Sequence, residues 1–323
     1  PPRSTLFPYT TLFRSGRAEL QRLIQATTAT VPMASDSSQT AVADGAYIDS
    51  YEFWANTLDY DKAHWQNTPI PLVYDTQSRQ PGLLTAFATF AFQKALAREM
   101  HDRGKFMLAN GVLMTCDFPT AHLDILGTET NWMPNGHWQP MTDGELCFRR
   151  SLSNQKPYCF LMNTHFADFT LELTERYMQR ALAYGMFPGF FSEDANGNCY
   201  FTTPAWYEPA RPLFKKYIPL IQTIARAGWY PKTMARTDDT AVYAERFGDP
   251  ASGCFYFTLL NDSPQTKTIL FDIGESILAW PKNGVEIHEM IEDSPIPITE
   301  DNLLTLTLQP EQARLIRVSQ ITR

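Results

Sequence analysis

The feature that most limits what this chain can fold into is an alternation of helix-like and strand-like segments from Gly16 to about Trp229. GRAELQRLIQATTA has a helical composition, and VADGAYIDS contains a short apolar strand. TAFATFAFQKALAREMHDRG carries apolar residues at helical spacing and closes on Gly104. KFMLANG, LDILGTETNW, KPYCFLMNTH and MFPGFFSED read as four further strands. DGELCFRRSLSNQ, TLELTERYMQRALAYG and RPLFKKYIPLIQTIARAGW read as helices, with Thr142 or Asp143 suited to cap the first. The stretch from Tyr51 to Leu84 predicts a long loop. Such alternation predicts a parallel sheet covered on both faces, because strands buried on both sides show continuous apolar runs.

Polar residues gather just past each strand, at its C-terminal end. Both (β/α)8 barrels and open α/β sheets build their sites there. Neither G-x-G-x-x-G nor G-x-x-x-x-G-K-[ST] occurs, so no nucleotide fingerprint supports the open sheet. Near Met234 the pattern changes. VYAERFG, GCFYFTLLND, TKTILFD, SILAW, VEIHEMI, LLTLTLQ and ARLIRVS read as short strands separated by the turn signals NDSPQ, PKNG and EDSP. In LLTLTLQ, Leu304, Leu306 and Leu308 share one face. The expected organisation is α/β over 16–233, then an all-β antiparallel sandwich over 234–323.

Composition removes several function classes. With 44% hydrophobic and 19% charged residues, the chain is too apolar to be disordered. A formal net charge of −8 argues against a nucleic-acid partner, which needs a basic surface. No run approaches the roughly 18 apolar residues of a membrane span. Cys116, Cys147, Cys159, Cys199 and Cys254 form no C-x-x-C and read as mostly buried thiols. The six histidines form no H-x-H, and Lys105 and Lys156 stand at strand starts. There is no G-x-S-x-G elbow. Metal-dependent amidohydrolase, Schiff-base and serine-hydrolase chemistries therefore lack their residues.

The strongest local signal is DGAYIDS, in which Asp49 closes an apolar strand ahead of an aromatic loop. Here the chain resembles the (β/α)8 glycoside hydrolases with a trailing β-sandwich, of the α-galactosidase, α-glucosidase and endo-α-N-acetylgalactosaminidase type. Their fourth strand ends in a similar Asp-Gly-x-x-x-Asp pattern whose second Asp is the nucleophile. The resemblance implies that role for Asp49. Counting back from the helix at 211–229 as the eighth makes the five strands the fourth to the eighth, a partial barrel. Glu129 then follows the sixth strand, where the family keeps its acid/base, usually as Asp. The resemblance further implies retention of anomeric configuration. Two carboxyl groups must flank the glycosidic bond, roughly 5–5.5 Å apart for retention.

Trp54, Asn110, Asn131, Trp132, Asn163, His165, Glu193 and Asp194 lie just past strands or in these loops and are candidates for binding sugar hydroxyls or faces. Trp65 and Trp138 lie in the same loops. Asp44, Glu52, Glu193 and Asp194 are rivals for either catalytic role, and Asp44, at the wrong end of its strand, reads as structural. Glu129 could instead pair with Arg149 or Arg150. Glycoside hydrolysis needs no cofactor and no metal. The expected partner is a carbohydrate, an oligo- or polysaccharide or glycoconjugate, and the alternative is a barrel that binds carbohydrate without cleaving it. Oligomeric state and compartment stay open. Residues 1–15 contain TLFPYTTLFRS, which resembles a translated sequencing adapter, so the natural sequence is expected to start near Gly16 with earlier barrel strands upstream.

Overall fold

The computed structural model describes residues 22, 25, 30–33, 36–52, 56–65, 70–114, 116–193, 198–280 and 284–321. The adapter-like residues 1–15, Trp54 and Asp194 lie outside them. The chain forms two compact units, residues 1–128 and 129–323. It is a mixed α/β protein with parallel strand pairing and a separate antiparallel β-sheet domain.

The first unit contains β1 (Thr30–Met33) and β2 (Asp36–Val42), an antiparallel pair, followed by β3 (Gly45–Ile48). Next come β4 (Leu58–Asp59), α1 (Lys62–Trp65), β5 (Val73–Asp75) and β6 (Gln80–Leu84). Then follow α2 (Thr85–His101), β7 (Phe106–Asn110) and β8 (Ile125–Thr130), whose last two residues belong to the second unit. The expected long loop is therefore built differently. β4, β6 and β5 form a small antiparallel sheet in that order, and Tyr60 donates to Asp75 Oδ2 across it at 2.6 Å.

α2 buries Ala86, Ala88, Leu96, Ala97 and Met100, and its alanines are strong helix formers. Gly104 (φ 67°) ends the turn after it, with its N–H on His101 O. The helix thus serves as the crossover that parallel strands require. β3 pairs with β7 from Gly45↔Phe106 to Ile48↔Ala109, and β7 pairs with β8 from Leu108↔Ile125 to Asn110↔Gly127, both parallel. Gly45 is required by close approach, because a Cβ there would meet Phe106 O at 2.1 Å.

In the second unit, α3 (Asp143–Leu152) starts from a capping box. Thr142 accepts from Glu145 N, and the Glu145 carboxylate accepts from Thr142 N. β9 (Tyr158–Met162) and α4 (Leu171–Ala183) follow. The expected fifth strand exists as parallel bridges, Cys159↔Phe187 and Met162↔Phe190, around Pro188, which has no N–H to give a ladder. α5 (Pro204–Ala227) begins earlier than expected and ends at Gly228 (φ 82°). Trp132, Phe160, Tyr177, Phe190 and Tyr200 form an aromatic core, with Phe190 stacked on Tyr200 at 4.3 Å.

The antiparallel part comprises β10 (Trp229–Tyr230), β11 (Arg236–Thr237), β12 (Val242–Phe247), β13 (Cys254–Asn261) and β14 (Lys267–Asp272). It continues with β15 (Val285–Glu289), β16 (Ser294–Pro295), β17 (Leu303–Leu308) and β18 (Ala313–Gln320). One sheet runs β10-β12-β13-β18-β15-β16 and the other β11-β14-β17. Phe255, Phe257, Phe271, Leu304, Leu308 and Ile316 fill the core. Each such side chain contributes roughly 1.5–3 kcal/mol by leaving water.

SILAW, expected as a strand, is instead a 3₁₀ turn over Gly274–Ile277 and its exit. Ser276 donates to Met234 O at 2.5 Å, and Leu278 is exposed, so no strand alternation exists there. The five cysteines are unpaired. Four are half-buried and Cys199 is exposed, so they are not the mostly buried thiols expected. Among the described residues no helix is long and apolar enough to cross a membrane.

Candidate active site

Asp49 stands one residue past β3, at its C-terminal end, and is exposed. Its Oδ1 accepts two hydrogen bonds, from the Tyr47 hydroxyl at 3.0 Å and from Asn110 Nδ2 at 2.8 Å. The strand geometry explains both. Tyr47 and Asp49 are two residues apart, so they share a face of the strand. The β3–β7 register, with Ile48 opposite Ala109, brings Asp49 and Asn110 side by side at neighbouring strand ends. Asn110 is itself buried. Asp44, at the opposite end of β3, contributes its carbonyl to Phe106 N, a structural role.

Past Asp49 the chain turns through Ser50 (φ 52°) and runs beside the end of β7, with Tyr51 N on Asn110 O and Glu52 N on Gly111 O. Glu52 is buried. Its Oε1 accepts from Leu113 N at 2.7 Å, and its Oε2 accepts from Met114 N and Cys116 N, each at 3.1 Å. Both oxygens are engaged with backbone, so this carboxylate anchors a loop. Tyr51 donates to Gln93 Oε1 at 2.6 Å, and Gln93 donates to Pro119 O. Burial pushes the Tyr51 phenol far up, which keeps it a donor.

In the second unit, Glu129 is the penultimate residue of β8 and is exposed. Arg150 pairs with Glu245 at 3.0 Å, and Arg149 donates to Glu145 O. Asn163 N donates to Thr130 O at 2.8 Å, and Asn163 Oδ1 accepts from Ser192 N at 3.3 Å, so Asn163 joins two strand ends. His165 is exposed between Asp168 Oδ2 at 3.1 Å and Glu193 Oε1 at 3.8 Å. Asn198 also donates to Glu193, at 3.3 Å. Asn131 Oδ1 accepts from Met133 N, closing its own turn.

Trp132 does not fit the expected stacking role. It is 1% exposed, with the rings of Trp138, Phe160 and Tyr177 around it, and has no open face for a sugar. Trp138 is half-buried and donates to Glu311 Oε1 at 2.7 Å. The first unit therefore brings Asp49 and Asn110 together, and the second brings His165 to Glu193 and Asn163 to Ser192. Sequence reasoning missed Tyr47, although its period-two spacing from Asp49 was visible in DGAYIDS.

Chemically, Asp49 is an exposed carboxylate fixed through one oxygen by two neutral donors. Neutral donors orient a carboxylate without cancelling its charge, and Oδ2 carries neither of these two bonds. Such a group suits attack on an electrophilic carbon.

No protein-family model matches the chain, and no curated protein matches it. Solved structures to which the chain shows a distant likeness include glycoside hydrolases. One is a GH27 β-L-arabinopyranosidase from Geobacillus stearothermophilus, crystallised with arabinose. Its TM-score is 0.38 at 13% identity, covering 86% of this chain and 74% of that one. An Anoxybacillus α-amylase gives a TM-score of 0.43 at 13% identity over 72% of this chain, which spans 57% of the amylase. A putative α-N-acetylgalactosaminidase from Bacillus halodurans gives 0.38 at 12% identity, covering 86% of this chain and 89% of that one. Likenesses this distant transfer neither an activity nor a site residue to this chain.

Proposed function

We propose that this chain is part of a retaining glycoside hydrolase acting on an oligo- or polysaccharide or a glycoconjugate. Asp49 is the nucleophile and Glu129 the general acid/base. The βα units of 16–233 are consecutive units of a (β/α)8 barrel, and 234–323 is a β-sandwich domain. The observation that carries the reading is the state of Asp49. It is an exposed strand-end carboxylate, held at Oδ1 by Tyr47 and Asn110, three residues from a second carboxylate whose two oxygens both accept from backbone N–H groups. Glu129 is assigned from its own strand-end position and exposure. Asn131, Asn163, His165 and Glu193 are assigned to sugar hydroxyls, and Trp54 and Asp194 keep the binding roles read from their positions in the sequence.

Incubation with a panel of 2-deoxy-2-fluoroglycosyl fluorides tests the reading. These reagents form the glycosyl-enzyme and hydrolyse slowly. The expected result is a mass increase of one fluorosugar on the peptide bearing Asp49, absent in Asp49→Asn. Undiminished turnover by Asp49→Asn would overturn the assignment. Glycan binding without turnover would favour the non-catalytic alternative.

A further inference from the structure

We infer that Tyr47 and Asn110 are positioning residues that clamp one oxygen of Asp49, and that their main effect is on breakdown of the glycosyl-enzyme rather than on its formation. The inference rests on the glycosidase reading above and reassigns Asn110 from contact with a sugar hydroxyl. Both donors converge on the same atom, Oδ1, at 3.0 and 2.8 Å. One comes along the strand and the other from its neighbour, so rotation of the carboxylate is blocked from two directions. Asn110 is 3% exposed, which holds its amide in place, and Tyr47 is 47% exposed.

The clamp acts unequally on the two steps. In the first, Oδ2 of Asp49 bonds to the anomeric carbon and the bond to the leaving oxygen breaks. That oxygen takes the proton of Glu129. Oδ1 becomes an ester carbonyl. In the second, water bonds to the anomeric carbon and its proton passes to Glu129. The electron pair of the Oδ2–carbon bond returns to Asp49. Hydrogen bonds to a charged carboxylate are stronger than those to a neutral carbonyl. Tyr47 and Asn110 therefore gain strength as charge returns in the second step and lose it in the first.

Steady-state and burst kinetics on a panel of 2,4-dinitrophenyl glycosides decide the matter, since their good leaving group makes the second step limiting. Asn110→Ala and Tyr47→Phe should each lower kcat roughly 10- to 100-fold. KM should fall alongside, and a burst should approach one product per enzyme. In the Asp49→Asn background, neither change should reduce residual activity further. A structural defect would instead lower the number of active sites at constant kcat per site. Loss of a sugar-hydroxyl contact would raise KM. Either result, or unchanged kinetics in both variants, overturns the clamp while an inactive Asp49→Asn leaves the glycosidase reading standing. Full activity in Asp49→Asn, or no turnover of the panel by the unaltered protein, overturns both. Tyr47→Phe keeps the ring, so the test survives if Asn110→Ala fails to fold.

Discussion

The strand ends of the two units hold their carboxylates in different ways. In the first, Asp49 is fixed by a phenol and an amide, both neutral. In the second, Glu193 faces the imidazole of His165 and the amide of Asn198. Neutral donors fix direction and leave the charge available for reaction, whereas a basic neighbour offers a counter-charge whenever it is protonated. The first arrangement suits a nucleophile and the second suits recognition of hydroxyls. Asp49→Asn should therefore lower turnover by about 10⁶-fold, the order seen when a nucleophile is removed. Glu193→Gln should raise KM and change kcat far less. Assays on aryl glycosides compare the two directly, and equal losses in kcat would erase the distinction.

The next contrast lies within one turn of chain. Asp49 has one oxygen held by side chains, while Glu52 has both held by backbone N–H groups. Glu52→Ala leaves three amides without their acceptor in a buried setting, and each lost bond is worth on the order of 1 kcal/mol or more. Its expected effect is a stability loss of about 3 kcal/mol, read as a lower urea midpoint. Asp49→Ala should move that midpoint less, because only one of its two donors, Asn110, is buried. A larger shift for Asp49 than for Glu52 would reverse the roles given to the two groups.

Legibility in the sequence followed burial. β7, β8 and β9 were readable because buried strands are continuous apolar runs that break into polar residues at their ends, and β3 shows the same apolar run although Tyr47 on it is 47% exposed. β17 was readable because its alternation has a buried and an exposed face. β4, β5 and β6 were not, since strands of two to five residues are too short to show a period, and Pro81 argues against one. SILAW misled because a buried Ile277 beside Trp280 gives the same apolar signal in a 3₁₀ turn as in a strand. Trp132 misled for a related reason. An aromatic residue just past a strand reads alike whether it turns outward or into the Phe160–Tyr177 core. The strand-end place of Asp49 was legible from position alone, whereas Tyr47 was missed although its spacing from Asp49 was visible. The role of Glu52 was hidden because its partners are backbone groups 61 to 64 residues away, which no side-chain pattern reports.

The smallest expected effect concerns a carboxylate engaged locally at a helix start. Glu145 accepts from the Thr142 N–H and hydroxyl in the capping box of α3, each at 2.9 Å. The backbone bond from Thr142 chiefly holds its carboxyl below the ordinary range, aided by the Thr142 hydroxyl and Arg149 against a desolvation that works the other way. A carboxyl lowered in the folded state stabilises that state above its unfolded pKa, about 4.3 for Glu. That contribution fades as pH falls through the folded value. Glu145→Ala should cost about 1 kcal/mol at neutral pH, the usual size of a cap. The difference in urea midpoint between this variant and the unaltered protein should shrink as pH drops below roughly 4. A difference that held constant into acid would mean that the charge of Glu145 contributes nothing, and that only its hydrocarbon packing distinguishes the two proteins.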